Sequence, residues 1–312
     1  MKTFGLLSIT LTLCAFLFTL SCQEPEFPQV SSGTLERIES FPSAFISDRN
    51  IDVWLPDGYS DSEKYAVLYM HDGQMLYDST TTWNKQEWDV DGIMGRLIAS
   101  NEIPPTIVVG IFNSPNRHMD YFPKRPMENL SEGEWAILDE EAEKQNQNPI
   151  RADDIDSDDY LKFIVEELKP HIDSKYSTKT DAANTFVAGS SMGGLISMYA
   201  ICEYPEVFSG AACISTHWIG FHDFENNPIP AAFANYLENN LPDTSNHKIY
   251  FDFGTETLDA FYEPHQAAID SVMIRNGFTE LNWMTRKFPG EDHSENAWRK
   301  RLDIPVKFLL AE

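Results

Sequence analysis

Short runs of unbroken apolar residues, each followed by a stretch with helical spacing, constrain this chain more than any other feature. Tyr65 to Met70 reads YAVLYM and Thr106 to Phe112 reads TIVVGIF. A strand with one wet face alternates apolar and polar residues, whereas unbroken runs suit strands covered on both faces. Thr185 to Ala188, Ala211 to Ser215, Lys248 to Phe253 and Leu281 to Lys287 are further strand candidates. Ala44 to Leu55 reads as two strand segments turned at Asp48-Arg49-Asn50. Helical patterns fill the gaps. Asp159 to Ile172 sets Leu161, Ile164, Val165 and Leu168 on one face at i, i+3, i+4 and i+7. Val90 to Ile98, Leu195 to Tyr204, Ala260 to Arg275 and Asn296 to Leu310 complete the set, the last interrupted before Pro305. Strands alternating with such helices build βαβ units, so the expected fold is α/β, with a mostly parallel central sheet and helices on both faces. The 312 residues contain no internal repeat and no second hydrophobic pattern, which argues for a single domain.

The beginning of the chain reads as an address. Lys2 precedes an uncharged, mostly apolar run from Phe4 to Leu20, and the chain then reaches Ser21-Cys22. A cation, an apolar stretch and a small residue before the cut describe a secretory signal over residues 1–21. Ser21-Cys22 resembles a bacterial lipobox, with Thr19 where Leu is usual, so cleavage is expected to leave Cys22 as a lipidated first residue. Ordinary secretion and an uncleaved membrane anchor are the alternatives. Residues 22–40, polar and carrying Pro25 and Pro28, read as a tether, and residues 41–312 as the domain. The expected location is the cell envelope, lipid-anchored and facing the periplasm or the cell surface.

Charge narrows the partners. Lys and Arg number 23 against 49 Asp and Glu, a net charge of −26. That balance excludes a nucleic-acid backbone, and a membrane is engaged only through the lipid anchor. An apolar share of 42% excludes wholesale disorder. Cys202 and Cys213, the cysteines beyond the leader, sit among apolar residues and read as buried thiols; a disulfide between them needs Cα atoms within about 7 Å. Their spacing is not that of a metal site, and neither metal nor cofactor is expected.

The chemistry concentrates where the strand TFVA breaks. Gly189-Ser190-Ser191-Met192-Gly193-Gly194 matches G-x-S-x-G with Ser191 at its centre, between a strand and a helix. A nucleophile needs a sharp turn at the tip of a sheet, and small residues two before and two after let strand and helix approach. The helix start then aims free amides at developing negative charge. A serine is a weak nucleophile without a base. His293, in Pro289-Gly290-Glu291-Asp292-His293 after the final strand, is the candidate, ahead of His265 inside a helix and of His217, which follows a strand tip and suits a pocket wall. The acid belongs in the loop after KIYFDF, where Asp259 and Glu256 both qualify; Asp259 is preferred because it closes the loop, though it also suits an N-cap. The oxyanion donors are expected to be the backbone N–H groups of Met192, which follows the nucleophile, and of Gln74 in His71-Asp72-Gly73-Gln74.

These segments resemble the putative-esterase family of α/β-hydrolases, which includes enterochelin-type, feruloyl and acetyl carbohydrate esterases and the esterase D-like enzymes. The similarity rests on YMHDGQMLYD (Tyr69 to Asp78), GSSMGG (Gly189 to Gly194), EYPEVFSGAACIS (Glu203 to Ser215), YFDFGTETLD (Tyr250 to Asp259) and FPGEDHSENAW (Phe288 to Trp298). It implies an α/β-hydrolase fold, Ser191 as nucleophile, His293 as base and the amides of Met192 and Gln74 as oxyanion donors. Members differ between Asp and Glu as the acid. The expected activity is carboxylic-ester hydrolysis through an acyl-enzyme, on acylated carbohydrate or another small-molecule or polysaccharide ester outside the cytoplasm. An acyltransferase on the same triad, a siderophore esterase and, last, a non-catalytic carbohydrate binder are the alternatives.

Three features remain. Asn113 to Ser157 is long and polar, an insertion at about 113–157 that leaves a strand end and reads as a lid or pocket wall; Arg117 and Tyr121 in it are candidate substrate contacts. The acidic run Asp153 to Asp159 lacks the Gly and bidentate Glu of a calcium loop and reads as a solvated helix start. Trp218 suits either sugar stacking or core packing.

Overall fold

The computed structural model describes residues 27–146 and 148–311, so the expected signal at 1–21 and Cys22 lie outside the described residues. Eight strands form one sheet: β1 (Thr34–Phe41), β2 (Arg49–Leu55), β3 (Ala66–His71), β4 (Thr106–Ile111), β5 (Thr185–Ser190), β6 (Gly210–Ile214), β7 (Lys248–Phe253) and β8 (Trp283–Lys287). Their order is β1-β2-β4-β3-β5-β6-β7-β8. β2 runs antiparallel to β1 and β4, and every other pairing is parallel. This is a single α/β domain with α/β-hydrolase topology.

The unbroken apolar runs have the expected cause. On β3, Val67 and Tyr69 enter one core while Ala66, Leu68 and Met70 enter the other. One face is covered by the long helix that opens at Ser157 and by Met192–Glu203, Ile229–Asn240 and Glu263–Arg275; the other by Val90–Ala99, Glu295–Arg299 and Asp303–Leu310. The helix from Ser157 to Lys175 widens into a π-helical stretch at Phe163–Leu168. Pro170, which has no N–H to give, lies just past it.

Four differences from the sequence reading have physical reasons. The first hairpin pairs β1 with β2, so part of the expected tether at 22–40 is an edge strand; only Leu35 and Phe41 of TLERIESF are buried, which leaves little periodic signal. The connection before it is also ordered, with Ser31 N–H and Oγ both donating to Asp91. A helix at Ile229–Asn240 was not expected; Ile229, Phe233, Tyr236 and Leu237 give it a buried face, but Pro228, Pro230 and its asparagines mask the pattern. The break in the last helical segment falls between Arg299 and Asp303, and Pro305 sits in the first turn of the second piece, where it costs no hydrogen bond. The segment 113–157 is helical at Arg117–Tyr121, Lys124–Glu128 and Glu132–Lys144.

Cys202 and Cys213 are free thiols. Among the described residues, no helix is long and apolar enough to cross a membrane. Four of the five carboxylates of the acidic run have a local partner: Asp154 accepts from the Arg151 N–H, Asp156 accepts from Asn116, Asp158 from Tyr199, and Asp159 pairs with Lys162.

Candidate active site

The carboxyl ends of six parallel strands converge on one end of the sheet, and every candidate residue described there follows one of them. Ser191 follows β5 in a strained left-handed conformation, φ 58° and ψ −120°. Its N–H donates to Ile214 O at 2.9 Å, which fixes the turn against β6. A Cβ on Gly189 would lie 2.7 Å from the Gly193 carbonyl oxygen, so the elbow closes only around glycine. Met192 opens the following helix, where the first amides have no carbonyl partner within the helix. Gln74 lies in the short turn Gly73–Met75 after β3.

Asp259 and His293 meet through an Nδ1–Oδ1 hydrogen bond of 2.5 Å. Asp259 is 1% exposed. Its other oxygen accepts from the Ser215 hydroxyl at 2.6 Å and from the Gly254 N–H. Burial alone would raise the pKa of this carboxyl; the bond and charge of His293, with Ser215 and Gly254, outweigh burial and hold it below the usual carboxylate range. Glu256, the other candidate acid, is exposed. Its loop is zipped to the His293 loop instead: Thr255 and Glu256 N–H groups donate to Glu291 O, and His293 N–H donates to Thr257 Oγ1 at 2.9 Å. A Cβ on Gly254 would lie 2.1 Å from that Glu291 oxygen, so only glycine permits the approach.

Ser191, His293 and Gln74 line one cavity of about 260 Å³. No hydrogen bond joins the Ser191 hydroxyl to His293 here; such contacts tighten when substrate is bound. Trp88 and Trp298, in contact with their rings tilted by 40° and 5.3 Å between centroids, form an apolar wall, and Trp298 meets the His293 ring edge-on. Trp83 stands at the mouth, 82% exposed. The opposite wall is polar. Arg117 grips Asp72 with two bonds of 2.6 and 2.7 Å, and Asn113 donates to the same carboxylate. Burial opposes ionisation of Asp72, but the Arg117 charge and these bonds keep its pKa below the ordinary value.

A family model described as Putative esterase matches residues 43–309. The chain belongs to that family. Among curated proteins, the chain is 26% identical over 190 residues to an endo-1,4-beta-xylanase/feruloyl esterase of Xylanibacter ruminicola, a match covering 57% of this chain and 21% of that relative. The chain thus spans about a fifth of the length of that much larger protein. Among solved structures it resembles an IroE-like serine hydrolase from Shewanella oneidensis, with a TM-score of 0.64, 20% identity and coverage of 89% of this chain and 80% of that one. It also resembles a ferulic acid esterase from Anaeromyces mucronatus, solved with ferulic acid, with a TM-score of 0.61, 18% identity and coverage of 90% and 92%.

The remaining candidates sort by burial. Arg117 reaches the cavity, whereas Tyr121 is fully buried beneath it, its hydroxyl accepting from the Asp72 N–H. Trp218 is core, donating to Gln266 at 2.8 Å. His217 is buried behind the site on the Tyr262 hydroxyl at 2.7 Å; burial and the neighbouring His293 push its pKa down to about 3. Of the long polar segment, Asn113 and Arg117 reach the cavity, while the acidic helix Glu132–Lys144 packs elsewhere. Sequence reasoning missed Asp72, Asn113, Ser215, Trp88 and Trp298 as site residues. The signal for Asp72 and Asn113 was position, since both stand within two residues of strand ends at the site; Trp298 stood in the quoted FPGEDHSENAW segment.

Proposed function

We propose that this esterase hydrolyses carboxylic esters through an acyl-enzyme, with Ser191 as nucleophile, His293 as general base and acid, and Asp259 as the residue orienting the imidazole. The observation that carries the reading is the buried Asp259–His293 pair opening into the cavity that holds Ser191 on its left-handed turn. Asp259 keeps the proton of His293 on Nδ1, which leaves Nε2 free to accept one. Ser191 Oγ attacks the ester carbonyl and its proton passes to Nε2. The Met192 and Gln74 N–H groups stabilise the oxyanion. The intermediate collapses, the alcohol leaves with the proton from Nε2, and the acyl group stays on Ser191. Water then attacks, gives a proton to Nε2, and Ser191 regains it as the carboxylic acid departs.

The substrate class we favour is an acylated carbohydrate. The tryptophan wall suits a flat or apolar acyl group, and Trp83 at the mouth suits stacking against a sugar ring. Arg117 is the cation beside Ser191, and its charge is spent on Asp72, which disfavours the anionic siderophore alternative. The similarity to a feruloyl esterase-containing xylanase points the same way. Export and lipidation at Cys22 complete the reading and place the enzyme where such polymers occur; a Cys22→Ala variant should lose incorporation of labelled palmitate.

The test of the core reading is direct. A fluorophosphonate probe should label wild type at Ser191 and fail on Ser191→Ala, and that variant should lose about 10⁴- to 10⁶-fold in kcat on 4-nitrophenyl acetate while remaining folded. Equal turnover by both proteins would overturn it. Feruloyl-, acetyl- and siderophore-ester panels, run with and without an alcohol acceptor, decide the substrate and separate hydrolysis from acyl transfer.

A further inference from the structure

We infer that Ser215, backed by Arg301, is a positioning residue that fixes the charge and orientation of the Asp259–His293 pair. The inference deepens the proposed triad and rests on that reading. Ser215 follows β6 with φ 42°, a left-handed conformation that costs a serine energy and aims its side chain into the gap behind Asp259. Its oxygen accepts two bonds, from Arg301 Nη2 at 2.9 Å and from Trp298 Nε1 at 3.0 Å. A hydroxyl has two acceptor positions and one proton. With both acceptor positions taken, the proton has one destination, Asp259 Oδ2 at 2.6 Å.

The donor on Oδ2 cannot rotate away, so Oδ1 is left for His293 alone. Arg301 is held in turn. Its Nε and Nη2 pair with Asp252, which also accepts from the Ser215 N–H and the Tyr250 hydroxyl. Asp252, Arg301, Ser215 and Asp259 are all buried, so water does not replace a bond that is lost there. Trp298 gives the arrangement a second use: its ring lines the cavity and touches His293 edge-on while its N–H holds Ser215.

The test removes the hydroxyl without refolding the turn. Glycine accepts φ 42° more readily than serine, which offsets part of the cost of leaving the Trp298 N–H without its acceptor, so Ser215→Gly should fold with a modestly lower melting temperature. With one donor fewer, the Asp259 carboxylate holds the His293 proton more tightly. The acid limb of the kcat/KM profile should then move to higher pH by about half a unit or more, with kcat reduced about tenfold and KM little changed. Other groups facing the pair are Arg301 and Asp252 behind it, Tyr262 and His217 at its side, and Asp72, Arg117 and Glu295 across the cavity; the variant leaves all of these in place. Arg301→Lys, which keeps the charge beside Asp252 and withdraws the bond to Ser215, should shift the limb in the same direction.

His293 should also be titrated by NMR in wild type and Ser215→Gly, with His293→Gln to assign the resonance. This readout needs no turnover, so it stands even if ester hydrolysis is not the activity. A raised His293 pKa in Ser215→Gly supports the positioning role. An unmoved His293 pKa overturns it, whether or not kcat changes.

Discussion

The proposed triad turns on which carboxylate of the loop after β7 meets His293. Asp259 is 1% exposed and bonded to His293, while Glu256 faces solvent. Asp259→Asn should therefore lower kcat by about 10⁴-fold, and Glu256→Gln should leave it within twofold of wild type, as measured on 4-nitrophenyl acetate. The candidate serine and histidine were legible in the chain through the strand-turn-helix spelling and the order of motifs. The candidate acid was not, because Asp259 and Glu256 lie in one loop and differ only in where their side chains point. A second residue-scale effect concerns acid stability. Burial lowers the pKa of His71 and His217 to about 3, and burial together with Arg117 lowers that of His118 to about 4. The folded protein keeps these rings neutral, whereas the unfolded chain takes up their protons below about pH 6.5. Stability should thus fall as pH drops from about 6.5 and keep falling until the folded values are reached. Calorimetric melting temperatures between pH 7.5 and 4 check this, and His118→Phe, whose ring can keep the stack on Phe122 and Phe221, should flatten the slope.

At the scale of elements, the parallel strands were the most legible part, because a strand buried on both faces must be apolar throughout. Only the first strand of the edge hairpin was displaced, by some ten residues, since β1 buries little beyond Leu35 and Phe41 and so writes little into the sequence. The polar insertion concealed three helices: Arg117–Tyr121 and Lys124–Glu128 are too short to show a period, and Glu132–Lys144 buries only Leu138. Contacts that join elements were illegible. The close approach of β5 to the helix after it is one, and there Gly189→Ala should cost about 1–3 kcal/mol in urea unfolding because its Cβ meets the Gly193 carbonyl. The loop between Asp78 and Asp89 is another. Ser79 N–H donates to Glu87, Asn84 to Glu295, and Arg299 to Glu87 and Asp89, so Trp83 is presented on a braced support. Trp83→Ala should raise KM for an acylated oligosaccharide several-fold and leave that for 4-nitrophenyl acetate unchanged.

For the whole molecule, charge governs access. A net charge of −26 repels anionic esters at long range, and the arginine at the site is already paired. Rates on an anionic ester should rise between 20 and about 300 mM salt as the Debye length shrinks, while rates on a neutral ester stay level. A preference for anionic esters independent of salt would contradict this. The bracing of the Trp83 loop has a consequence in time as well as in space. Asn84 and Glu295 are 211 positions apart, and the Arg299–Glu87 pair spans 212. Contacts between such distant parts of a chain form late, because the entropy of closing the intervening loop is paid first. During refolding, recovery of hydrolysis should therefore lag behind recovery of the far-ultraviolet dichroism, and a nascent chain should stay catalytically silent until His293, Glu295 and Arg299 have emerged.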